Sequence, residues 1–241
     1  LAAALKYPCD VIVNTDGGNY EIWLVAPGGG VYEITLKTRK PVNSVEKMID
    51  GLYKTKTMMG GFAQNRRNEM HNHKWFKGTD MEDAAFRIIE CSAGDAGSNL
   101  DMGKLSFVFY TDQAKEAIEK ELSKIEAGLK KELNEMQLDT EGFYPTTRFF
   151  HYQAADRNDP AISLMTELAS DEIGYPIRQS GASLSDLSLF LKYGSESSFN
   201  FGIFGDFARY GGAHQPDEYV ELHEVLAHAK ALARFIVKWC T

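Results

Sequence analysis

The sequence predicts an α/β chain in two parts, one of them a ferredoxin-like module, on three observations. Residues 20–138 read as strand, strand, helix, strand, strand, helix, the order of a four-stranded antiparallel sheet with two helices on one face. Just before them, Asp10-Val-Ile-Val-Asn-Thr15 reads as a buried strand. Beyond Tyr144, helices alternate with a strand, which suits part of an α/β layer. The expected division assigns 1–19 and 139–241 to that layer and 20–138 to the module.

Between Asp10 and Thr38, apolar runs are broken by Asp16-Gly17-Gly18 and by Pro27-Gly28-Gly29-Gly30, read as turns because glycine accepts positive φ. Val42, Val45, Ile49 and Leu52 recur at spacings of three and four, predicting a helix over Pro41–Tyr53 with Asn43 or Ser44 as its cap. From Met58 to Asp83 the pattern dissolves into polar residues and glycine, read as a long functional or mobile loop. Phe86–Cys91 and Leu105–Tyr110 read as strands, and Gln113–Met136 as a helix with Ala117, Ile118, Leu122, Ile125, Leu129 and Leu133 on one stripe. Helices over Pro160–Ile173 and Ser183–Leu191 and a strand over Phe199–Phe204 follow. The last helix is expected over Asp217–Trp239, with Tyr219, Val220, Leu222, Val225, Leu226, Ala233, Phe235 and Ile236 as its core face.

At 44% hydrophobic and 12% aromatic residues, the chain can bury one large or two small cores. A net charge of -8 argues against a nucleic-acid partner, and Arg66-Arg67 and Lys130-Lys131 are read as solvated helix faces. Three widely spaced cysteines without a Cys-x-x-Cys pair suit structural thiols in a reducing compartment. No apolar run approaches the roughly 20 residues that cross a bilayer, so a cytoplasmic protein without a membrane partner is expected. The chain begins at Leu1 and enters a strand within a few residues, which predicts that a segment upstream is missing.

Chemistry concentrates in Gly211-Gly-Ala-His214-Gln-Pro-Asp-Glu218-Tyr-Val, where a glycine-rich loop delivers a histidine just before a helix. By spacing alone, His214 is an ordinary histidine. Ala213-His214-Gln-Pro-Asp-Glu218-Tyr nevertheless resembles the C-terminal zinc-ligand motif of the dinuclear-zinc amidohydrolases and exopeptidases. That family includes acetylornithine deacetylase, succinyl-diaminopimelate desuccinylase, aminoacylase and several di- and tripeptidases. Pro160 through Gly174-Tyr-Pro, then Ser180-Gly181-Ala182-Ser183, is similar to its helix, Gly-x-Pro and substrate-facing loop, and Phe201-Gly-Ile-Phe-Gly205 falls where its strand precedes the His loop. Gly97-Ser-Asn99-Leu resembles the lid segment whose Asn reaches a substrate carboxylate or carbonyl, although Asn99 also suits a turn cap. Cys9-Asp-Val-Ile-Val-Asn-Thr-Asp16-Gly-Gly is similar to the strand ending in an acidic zinc ligand, although Asp-Gly-Gly is equally ordinary turn chemistry.

The resemblance implies a zinc-exopeptidase-like α/β catalytic layer carrying an inserted ferredoxin-like lid and dimerisation domain. It implies two zinc ions about 3.5–4 Å apart that hold and acidify a bridging water, with Asp16 and His214 among their ligands. Asn99, Ser180, Gly181, Ala182 and Ser183 would lie near the substrate, an N-acyl amino acid or small peptide whose amide bond is cleaved, and the lid would form a homodimer. The family's His-x-Asp and Glu-Glu pairs, which bring the other ligands and the general base, occur nowhere in this sequence. The chain is therefore expected to hold no catalytic residue of its own, to be inactive alone, and to need a missing N-terminal segment of the same protein. The lid histidine is likewise absent between Thr35 and Val45, where Arg39 or Lys40 is a candidate substitute. One alternative is a non-catalytic dimerisation or binding module of the same descent, with the sheet edge or helix 113–136 as its interface. Another is an unrelated α/β protein in which Ala-His-Gln-Pro-Asp-Glu is a coincidence.

Overall fold

A computed structural model describes residues 9–18, 21–39, 44–94, 101–181, 183–203, 216 and 218–241. In chain order its elements are β1 (Val11–Asn14), β2 (Glu21–Ala26), β3 (Gly28–Thr38), α1 (Ser44–Met58), α2 (Gly60–Asn72), α3 (Met81–Ala84), β4 (Phe86–Ala93) and β5 (Met102–Thr111). There follow α4 (Lys115–Glu135), β6 (Leu138–Pro145), β7 (Gln153–Ala154), α5 (Pro160–Ile173), β8 (Arg178–Gly181), α6 (Leu187–Tyr193), β9 (Ser197–Asn200) and α7 (Leu222–Cys240). The chain divides into two compact units, Leu1–Pro27 with Gln153–Thr241, and Gly28–Tyr152. The expected boundaries at 19/20 and 138/139 thus both shift towards the C-terminus, to 27/28 and 152/153. The reason is pairing: β2 bonds to β7, β8 and β9, whereas β6 bonds to β3.

The second unit is a four-stranded antiparallel sheet in the order β4-β5-β3-β6, and its helices make the series a ferredoxin-like β-α-β-β-α-β with extra helix after α1. The module is as expected, but its first strand is β3 and its last follows α4. Gly28-Gly29-Gly30, expected as a turn, begins β3 instead. These glycines let the strands close: Gly29 has φ +126°, and a Cβ there would sit 2.0 Å from the Phe109 carbonyl oxygen on β5. Alternate residues Tyr32, Ile34 and Leu36 of β3 and Leu105, Phe107 and Phe109 of β5 enter the core, where they meet Met48, Leu52, Ile118, Leu122, Leu129 and Leu133 from the helices. Burying each such side chain contributes about 1.5–3 kcal/mol.

The long loop expected over Met58–Asp83 is largely helical, as α2 and α3. Sequence pattern hides α2 because Gly60 and Gly61 weaken its start and one of its buried residues, Phe62, Ala63, Arg66 and Met70, is an arginine. Phe62 fixes it by packing edge-on against Phe86, Phe107 and Phe109. Arg66, expected on a solvated face, is 1% exposed; its Nη2 reaches Glu69 at 2.6 Å and Glu121 at 3.1 Å, and its guanidinium lies over the Phe62 ring.

In the first unit, β1 runs parallel to β9, with Val11 opposite Ser197 and Asn14 opposite Asn200. β9 pairs antiparallel with β2, which also carries β7 and, in parallel, β8. α5 keeps its expected bounds: Asp159 accepts from the Ala161 and Ile162 N–H groups, Pro160 opens the first turn, and Gly174 ends the helix at φ 86°. Other bounds move. The helix expected from Ser183 starts at Leu187, Arg178–Gly181 is a strand rather than a loop, and the strand expected over Phe199–Phe204 is Ser197–Asn200. The last helix starts at Leu222, leaving Glu218, Tyr219 and Val220 outside it. Only one stripe of α7 packs, through His228, Ala231 and Phe235, so Leu222, Leu226 and Ile236 of the expected core face are exposed. Cys9, Cys91 and Cys240 are free and exposed rather than structural core thiols. No described helix is long and apolar enough to cross a membrane.

Candidate functional site

β1 and β9 are parallel neighbours, so Asp16 and the chain that runs on to His214 leave the sheet at the carboxyl ends of adjacent strands. That is where open α/β sheets gather their ligands. His214, Asn99, Ala182 and Lys40 themselves lie outside the described residues. Asp16 is exposed, and its carboxylate takes no hydrogen bond or ion pair from a described residue.

The rest of the Asp16 turn is tightly held. Its N–H donates to the Asn14 Oδ1 at 3.3 Å, and its carbonyl accepts from the Asn200 Nδ2 at 2.9 Å. The two amides join through Asn14 Nδ2 to Asn200 Oδ1 at 3.0 Å, and Asn200 Nδ2 also donates to Ser185 Oγ at 3.0 Å. Asn200 is fully buried, and an unbonded buried amide would cost about 1–3 kcal/mol. Gly17 and Gly18 have φ +81° and +149°, and a Cβ on Gly17 would meet the Trp23 ring at 2.6 Å. A Cβ on Gly202 would lie 2.2 Å from the Thr15 carbonyl oxygen, so this turn packs directly on the strand exit that leads towards His214.

Asn14, Asn200, Trp23 and Ser180 stand in one row across the sheet, each paired with the next. Strands lie about 4.8 Å apart, which puts Ser180 roughly 10 Å from Asn200. Its hydroxyl is committed to the Glu21 carboxylate, which Arg178 also binds, so Ser180 ties β8 to β2. Gly181 ends β8, and Ser183 is exposed. Arg39 in the other unit is engaged by Asp139, with Nη2 to Oδ1 at 2.6 Å. Sequence reasoning missed Asn14, Asn200 and Ser185. The available signal was an asparagine at the end of each of two strands, since asparagine is depleted there unless something bonds it.

Among the described residues no three His, Cys, Asp or Glu side chains form a metal-holding group. The observation that bears on a metal is the Asp16 carboxylate, a hard oxygen donor on a fixed main chain, which fits one ligand of such a set. His228 lies nearby in a structural role: its Nε2–H donates to the Phe201 carbonyl at 2.8 Å while its ring stacks on Phe201, bracing the exit of β9.

Burial holds the His228 pKa below the ordinary histidine range, against the opposing pull of the Phe201 carbonyl. The folded chain therefore favours the neutral ring. The stability this confers is complete above the unfolded value of about 6.5 and is lost as pH falls through it towards the depressed folded value. Urea unfolding between about pH 7 and pH 5 should show this loss, and His228→Gln, which keeps a donor for the carbonyl, should flatten it. An unchanged acid limb in the variant would refute the assignment.

No protein-family model matches the chain, and no curated protein matches it in sequence. An α/β layer interrupted in sequence by a ferredoxin-like module is, however, the architecture of several solved hydrolases. A tripeptidase from Staphylococcus aureus superposes with a TM-score of 0.63 at 12% identity, over 95% of this chain and 57% of that one. An amidase of the hydantoinase/carbamoylase family from Burkholderia multivorans gives 0.57 at 15% identity, over 96% and 55%. Human carnosine dipeptidase 1 gives 0.56 at 13% identity, over 95% and 59%. The fold is that of part of these peptidases and amidohydrolases, and the chain spans a little over half of their length.

Proposed function

We propose that this chain is the lid and C-terminal catalytic part of a dinuclear-zinc hydrolase that cleaves an amide bond of an N-acyl amino acid or small peptide. The observation that carries the reading is Asp16: its peptide is gripped on both sides while no described residue bonds its carboxylate, next to the strand that leads to His214. In an ordinary Asp-Gly-Gly turn the aspartate would bond its own main chain two residues on. Among the described residues the Asp16 carboxylate makes no such bond, and the turn's side-chain contact comes one step earlier, from the Asp16 N–H to Asn14 Oδ1. Asp16 and His214 serve as metal ligands, and Asn99 and the Ser180–Ser183 stretch line the substrate, with Ser183 supplying the hydroxyl because that of Ser180 is held by Glu21. When bound, the zinc pair polarises the carbonyl and supplies a water of lowered pKa.

The other ligands and the general base come from an N-terminal segment of the same protein, because this sequence holds neither His-x-Asp nor Glu-Glu. The exposed apolar stripe of α7 and the edge strand β1 are surfaces that such a segment would cover. The three free thiols suit a cytoplasmic setting. A second reading is a non-catalytic dimerisation module, supported by β4, an edge strand that among the described residues pairs only with β5 and leaves Ile89 55% exposed. In the enzyme reading the same edge serves a homodimer.

The deciding experiment is intact mass, zinc content and hydrolysis of a panel of N-acyl amino acids, dipeptides and tripeptides by the native protein. The enzyme reading expects bound zinc and a hydrolysis that chelator removes and zinc restores. A metal-free 27.0 kDa species inactive on the whole panel would overturn it in favour of the module.

A further inference from the structure

We infer that Asn14 and Asn200 are positioning residues that hold the Asp16 main chain so that its carboxylate is presented to a metal, an inference that rests on reading Asp16 as a ligand. The two asparagines face each other in register on parallel strands 186 residues apart in sequence. Each takes one end of the Asp16 residue: Asn14 its N–H, Asn200 its carbonyl. Because the two amides also bond each other, the grips on the N–H and on the carbonyl are coupled through one hydrogen bond.

Both polar atoms of the Asn200 side chain are bonded. Its Nδ2 donates to Asp16 and to Ser185, and its Oδ1 accepts from Asn14, so the amide has one orientation: flipped, it would set its oxygen against the Asp16 carbonyl and its NH2 against that of Asn14. Ser185 is itself fixed, its Oγ accepting from the Leu187 N–H at the start of α6. The chain on the far side of Asp16 is held by shape, with Gly17 against Trp23, and Gly202 against the Thr15 and Gly17 carbonyl oxygens. A carboxylate mounted this way searches only its own side-chain rotamers. The ordering that metal binding would otherwise impose on a loop is already complete in the folded chain.

The test uses the complete protein and three readouts: zinc affinity by chelator competition, the visible absorption of the Co2+-substituted form, and thermal unfolding of the metal-free form. Asn200→Ala and Asn14→Ala should each weaken zinc binding by about 10–100-fold and alter the Co2+ spectrum. In an Asp16→Ala background, Asn200→Ala should weaken it no further. Should Asn200→Ala fail to fold, the half-buried Asn14 decides the matter by the same measurement. If Asp16→Ala leaves zinc affinity unchanged, the ligand reading fails and this inference with it. If Asp16→Ala weakens binding while Asn14→Ala and Asn200→Ala lower only the unfolding temperature of the metal-free form, the ligand reading stands and the positioning role is refuted.

Discussion

Asp16→Ala and His214→Ala, each made in the complete protein, are expected to bring zinc-dependent hydrolysis down to the level of the metal-free enzyme. Catalytic zinc usually has three protein ligands and one open position, so losing one ligand removes a large part of what holds and tunes the ion. Removing a residue that merely orients a ligand typically costs about 10–100-fold, and removing the ligand itself should exceed that. Ser180→Ala makes the contrast. Its hydroxyl is spent on Glu21, which Arg178 also holds, so the substitution should loosen the β8–β2 pairing and leave turnover nearly unchanged. Hydrolysis and zinc content measured on the same preparations check both halves. Full activity in either variant would remove that residue from the ligand set, and a collapse of activity in Ser180→Ala would put its hydroxyl on the substrate.

The sequence signals that make up the candidate site are local. An apolar run ending in Asp16-Gly17-Gly18, a capped helix closed by Gly174, and a histidine in a glycine-rich loop can all be read within windows of a few residues. What holds Asp16 is not local. Asn14 and Asn200 meet only because β1 and β9 align in one register, and nothing at either position announces the other. The same limit shifted the division of the chain. Gly28-Gly29-Gly30 reads as a turn on glycine content, whereas those glycines are needed because β5 comes too close for a side chain. α7 shows the converse. Its pattern displays every apolar residue, but only His228, Ala231 and Phe235 are covered among the described residues. Helix α2 was invisible since a buried arginine looks, to any hydropathy pattern, like solvent.

That arginine should be among the most expensive single residues to remove. Arg66 pairs with Glu69 on its own helix and joins α2 to α4 through Glu121, the two carboxylate side chains being 14% and 25% exposed. Deleting one member of a buried ion cluster leaves its partners uncompensated, so Arg66→Ala should cost about 3–5 kcal/mol at neutral pH. Two considerations reduce the loss. Arg66 Nε and Nη1 have no hydrogen-bond partner among the described residues, and Arg66→Met would remove both while keeping a flexible apolar chain over Phe62. Arg66→Met should therefore cost less than Arg66→Ala, and what remains should be electrostatic.

pH separates the two contributions. Burial raises the Glu69 pKa, while Thr111, Arg66 and Gln113 pull it down, so losing Arg66 raises it further. A carboxyl whose folded pKa exceeds its unfolded value favours the fold below the unfolded value and loses that advantage as pH rises through the folded one. The deficit of Arg66→Met relative to the parent should accordingly be larger at pH 7 than at about pH 5. Urea unfolding at both values reads this directly. A deficit that does not change with pH would mean that Arg66 acts through packing on Phe62 and that its ion pairs contribute nothing.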